Sequence, residues 1–98
     1  MTHMLVVEDA TASRDWYVKV LGASVYGEYG GTSVVLDLLG NWLLLVTGGG
    51  SSPEKPTVTF AAPGDADHVS SQLIFRVDDC QGTYDLLSAR GAQFLSAP

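Results

Sequence analysis

"RDWYVKVLGAS", residues 14–24, and "YDLLSARGAQF", residues 84–94, decide the fold, because each reads as the end of an amphipathic helix stopped by glycine. In the first, Trp16, Tyr17, Val20 and Leu21 recur at three and four positions and share one helical face. Gly22 supplies the left-handed stop. In the second, Tyr84, Leu86 and Leu87 mark the apolar face of a helix over residues 80–90, and Gly91 stops it. What precedes each helix also matches. "THMLVV", residues 2–7, is a short β-rich run ending at Glu8 and Asp9; "SQLIFRVDD", residues 71–79, is another, ending at Asp78 and Asp79. The second acid of each pair is suited to accept hydrogen bonds from the free amides of a helix start. Gly22 follows Asp9 by 13 positions and Gly91 follows Asp79 by 12, so one unit of strand, acid, helix and glycine occurs twice.

Between the copies lie three apolar runs, residues 24–29, 32–39 and 41–47. Gly30-Gly31 and Gly40-Asn41 separate them, and both tolerate the positive backbone angles of tight hairpins, which predicts an antiparallel meander. "GGGSSPEKP", residues 48–56, has no periodicity and a linker's composition. "TVTFAAP", residues 57–63, adds a short extended piece before "GDAD" turns the chain. The expectation is one domain over residues 1–98, with a first module at 1–47, a linker at 48–68 and a partial second module at 69–98.

The 98 residues and 46% apolar content suit one core and leave no room for a second domain. Five basic against eleven acidic side chains argue against a polyanionic partner, so neither nucleic acid nor an anionic membrane is expected. The N-terminus lacks a basic segment followed by a long apolar one, and no run approaches the roughly 18 apolar residues of a membrane span. Cys80, the single cysteine, has no partner for an internal disulfide and suits a reducing compartment; a cytoplasmic location is expected. As a thiol beside two carboxylates it reads as a small apolar residue of the helix.

The duplicated β-α-β-β-β unit, with "VED…WY…VLGA" in one copy and "FRVDDC…LLSARGAQF" in the other, resembles the vicinal oxygen chelate superfamily. That group includes glyoxalase, bleomycin resistance proteins, fosfomycin resistance enzymes and extradiol dioxygenases. The resemblance covers nearly the whole chain and implies an α+β fold: tandem modules with curved mixed sheets, helices on the outer face, and a ligand cavity enclosed by the sheets. It also implies a metal held by one or two His and an acid projecting from equivalent strands.

Two departures qualify this. After "GAQFLSAP" the family supplies further strands, so the second module reads as incomplete. Each large apolar side chain left bare forfeits about 1.5–3 kcal/mol, and four or five of them would cancel a typical stability of about 5–15 kcal/mol. The chain is therefore expected to be a fragment or to complete its sheet in a homodimer. The second departure is in the ligands. The family's first His position falls at Thr2, not His3, and a one-residue slip turns a strand side chain to the opposite face. The corresponding position in the second module is Gln72, and "NWLLLVT" offers no Glu. Amides bind transition metals poorly. No metal cofactor is expected; His3 and His68, the only imidazoles, remain the candidates if one binds.

The cavity is then expected to be lined by Trp42, in alternation with Leu44 and Val46, as an aromatic wall, and by Gln72, with Ile74 and Arg76 on its side of the strand. Tyr29, Tyr26 and Asp37 complete the candidates, Asp37 as a partner for Arg76. Neither a phosphate loop nor a Gly-x-Ser-x-Gly elbow is present. The reading is a protein that binds a small organic molecule without metal, as an antibiotic-sequestering protein does. The competing class is a metal-dependent lyase, isomerase or dioxygenase whose ligands a partner chain or further strands complete.

Overall fold

A computed structural model describes residues 1–50, 53–54, 56–65, 67 and 71–98. The first unit is β1 (Thr2–Val6), α1 (Ala10–Leu21), β2 (Ser24–Tyr29), β3 (Ser33–Leu38) and β4 (Asn41–Val46). β2, β3 and β4 form the antiparallel meander, and β1 adds to β4 in parallel, giving the order β1-β4-β3-β2. The crossover between β1 and the meander is α1, which is what a parallel neighbour requires.

α1 begins where the acid pair suggests. Asp9 is extended and its Oδ1 accepts the amides of Thr11 and Ala12 at 3.0 and 3.1 Å. At the other end Gly22 takes φ +73°, and the amide of Ala23 donates to the carbonyl of Tyr17. The helix lies on one face of the sheet, where Val34, Leu36, Leu38, Leu43 and Leu45 meet Ala10 and Ala23 in a dry core. Leu5, Val7, Tyr17 and Leu21 pack around it. Burial pushes the phenol of Tyr17 above its ordinary pKa. Trp16, expected in this core, is instead 43% exposed and leans edge-on against Tyr17, ring centroids 5.1 Å apart. The helix face is narrower than the four-residue pattern suggests. Arg14 reaches from α1 to pair with Glu28 on β2 and with Asp15. The hydrogen bonds to Glu28 and then Asp15 raise the guanidinium pKa further, and solvent screening keeps the pair's contribution to stability small.

Both hairpins close through positive-φ residues. Gly30 and Gly31, at φ +62° and +74°, join β2 to β3 as the sequence suggests. The second turn is centred one residue earlier than Gly40-Asn41. Leu39 and Gly40 carry the positive angles, at +54° and +80°, because Asn41 already pairs with Leu38 in the ladder. Asp37 Oδ1 accepts the amide of Gly40 at 3.1 Å and stabilises this setting.

The second unit repeats the helix with its caps and not the sheet. Asp79 caps α2 (Cys80–Ala89) by accepting the amide of Gly82 at 2.9 Å. The C-terminus closes with Gly91 donating to Ser88 and Ala92 to Leu87, the paired bonds of a Schellman end, with Gly91 at φ +104°. Residues 71–77, within the run expected as a strand, carry no regular structure and join no ladder among the described residues. Leu73 packs against the core, but α2 buries none of its residues. Residues 57–63 contribute one antiparallel bridge, Phe60 to Gly49. The radius of gyration, 15.0 Å, exceeds the ~13 Å of a compact 100-residue domain, in keeping with a second unit set beside the first core and not into it. One polar link joins the two helices: Arg90 Nη1 donates to the Val20 carbonyl at 3.2 Å.

Candidate functional site

The face of the sheet away from α1 carries the candidates. Register and alternation place three rows across it. Thr2, Trp42, Asp37 and Ser24 form the first; Met4, Leu44, Val35 and Gly27 the second; Val6, Val46, Ser33 and Tyr29 the third. α1 packs on the opposite side, and α2 packs on no strand as α1 does. Met4 and Trp42 are 42% and 37% exposed, and Val35, Leu44 and Val46 are half-buried. This is a contiguous apolar surface, the feature that marks interaction and ligand sites.

A β-bulge shapes the surface. The β2–β3 register slips between Val25 and Gly27, which leaves Tyr26 as the extra residue. Its ring meets that of Trp42 edge to face, centroids 4.4 Å apart and planes at 87°. Since β3 lies between their strands, the two rings bridge the first row above it. Gly27 matters for the neighbour two positions on. A Cβ there would sit 2.7 Å from the Tyr29 hydroxyl, so the bare backbone makes room for the Tyr29 ring. Tyr26 was a lesser candidate in the sequence. A glycine inside a strand pattern is the signal that could have raised it, since it marks a bulge.

Trp42, Asp37 and Tyr29 thus share the open face, but Gln72 and Arg76 do not join them there. Along residues 71–77, Leu73 turns to the core while Gln72, Ile74 and Arg76 are exposed, Ile74 by 85%. Of the set expected to face the cavity, Gln72 and Ile74 line one with Trp42, and Arg76 does not. Asp37 does not pair with Arg76; its carboxylate serves the Gly40 amide. Gln72 lines a 300 Å³ cavity at the turn end of the sheet together with His3 and Trp42.

His3 pairs in register with Leu43 and so stands on the helix-facing side, with Thr2 on the open face. It is exposed. His68 lies outside the described residues. Among the described residues no three His, Cys, Asp or Glu side chains gather into a group able to hold a metal ion. Only Asp37 puts a carboxylate into the three rows, so the donor set does not fit the metal that the fold implies.

The architecture is a β-α-β-β-β module with one face of its sheet open, followed by a capped helix that repeats the module's own. A model of the Glyoxalase/Bleomycin resistance protein/Dioxygenase superfamily matches residues 2–98, and the chain belongs to that superfamily. Among solved structures, the lactoylglutathione lyase from Agrobacterium tumefaciens superposes with a TM-score of 0.63 at 22% identity, over 92% of this chain. At that identity the likeness is one of fold. This chain spans 65% of the length of that lyase. No curated protein matches it in sequence.

Proposed function

We propose that the protein binds a small organic molecule, without metal, on the open face of its sheet, and that a second copy closes the cavity. The observation that carries the reading is the Tyr26–Trp42 pair standing on an uncovered apolar face. Two rings at right angles offer a flat ligand both a face and an edge, over a floor of Met4, Val35 and Leu44. The metal-poor donor set adds support, as does superfamily membership, and the role that fits is sequestration in the cytoplasm without turnover. Two further features support the homodimer: the sheet face that α1 leaves open, and the run at 71–77, which joins no ladder among the described residues and leaves backbone donors and acceptors for another chain.

Equilibrium binding to a panel of aromatic and glycopeptide antibiotics tests the reading, with sedimentation and a metal analysis on freshly isolated protein. Binding of one class at one site per protomer, lost in Tyr26→Ala and unaffected by chelator, is the expected result. Stoichiometric zinc, nickel, manganese or iron that supports turnover would overturn the metal-independent reading, and a monodisperse folded monomer would overturn the dimer.

A further inference from the structure

The 300 Å³ cavity at the turn end of the sheet shares Trp42 with the open face and is otherwise lined by residues outside its three rows. Its walls are apolar and partly aromatic: Trp42, Leu43, Phe75 and Ile74. Three polar side chains also line it, His3, Asn41 and Gln72, each able to donate a hydrogen bond. One amide proton of Asn41 goes to the Leu39 carbonyl, and its second is not taken up by that bond. No acid lines the cavity, although the chain carries eleven acidic residues against five basic. Asp37, the acid opposite Trp42, does not line it, and its carboxylate accepts the Gly40 amide. Donors without acceptor-only carboxylates, set among aromatic walls, complement a flat apolar body with an anionic end. The volume stands at the low end of the roughly 300–1,000 Å³ of small-molecule sites.

We propose that this cavity binds a small aromatic carboxylate, its ring against Trp42 and Phe75 and its carboxylate toward His3, Asn41 and Gln72. The site goes beyond the open-face reading: the two share Trp42, but Tyr26 does not line this cavity.

The test uses the full chain carrying Trp16→Phe, which leaves Trp42 as the single tryptophan reporter. Benzoate should change Trp42 fluorescence saturably, benzamide should bind more weakly, and benzylamine should not bind. His3→Ala and Gln72→Ala should each weaken benzoate about tenfold or more, the effect of losing one hydrogen bond to a charged group. Both residues are exposed, so neither change disturbs the core, and circular dichroism verifies the fold. Absence of a saturable signal, equal binding of benzylamine, or indifference to both His3→Ala and Gln72→Ala overturns the proposal.

Discussion

Tyr26 and Trp42 touch edge to face at 4.4 Å although β3 runs between their strands. The contact exists because the bulge at residues 25–27 brings an extra side chain to the open face. Such pairs contribute about 0.5–1.5 kcal/mol beyond their buried area. A double-mutant cycle on Tyr26→Ala and Trp42→Ala, read by denaturant unfolding, should therefore give a coupling energy in that range. Additive effects would show that the rings do not interact.

Leu39 holds φ +54°, a conformation that disfavours a side chain with a Cβ. Left-handed backbone costs a non-glycine residue roughly 1–2 kcal/mol, less for Asn. Leu39 is also 72% exposed, so its side chain contributes little packing in return. Leu39→Asn should raise stability by about 0.5–1 kcal/mol, since Asn-Gly is the preferred pair of a type I′ turn. The check is the denaturation midpoint, and a lower midpoint would mean that Leu39 is held by contacts with a partner.

Much of this fold was open to reading in the chain itself, where local chemistry decides the outcome. Asp9, Gly22, Asp79 and Gly91 delimit their helices because caps and left-handed stops depend on a few neighbouring atoms. The alternation of β3 is equally direct, since one face is dry. Legibility fails where a residue's state depends on partners distant in sequence. "SQLIFRV" has the composition of a strand, but a strand also needs a neighbour to accept its hydrogen bonds. For the same reason the setting of Gln72, Ile74 and Arg76 is not legible in the chain alone: alternation says which residues share a side, not what that side meets, and Gln72 and Ile74 line a cavity with Trp42 while Arg76 does not. The Leu39-Gly40 turn was misplaced by one residue because both readings put a glycine at a positive angle.

The two N-caps should differ in a measurable way. Asp9 accepts two amides and sits over a helix that packs on the core, whereas Asp79 accepts one and caps a helix with no buried residue. Replacing a capping Asp by Ala costs ~0.5–2 kcal/mol when the helix is part of the cooperative core. Asp9→Ala should fall in that range in global unfolding. Asp79→Ala should change it little and instead speed amide exchange in α2, because a helix without buried contacts opens locally. Gly82 is bound to the same cap: a Cβ there would stand 2.5 Å from Asp79 Oδ2. Gly82→Ala should consequently gain less than the ~1 kcal/mol that helix propensity alone gives.

Alkaline pH should act through Tyr17. Its phenol is partly buried against the core, which disfavours the phenolate and raises the folded pKa above the unfolded value. Below the unfolded pKa of about 10 both states are protonated and stability is independent of this group. Above it, the unfolded chain releases a proton that the folded chain retains, so stability falls as pH rises until the folded group also titrates. Tyr17→Phe keeps the ring and removes the titration. Unfolding followed from pH 8 upward should show a steeper loss of stability in the parent chain than in Tyr17→Phe, and parallel curves would mean that the phenol is as solvated in the folded protein as in the unfolded chain.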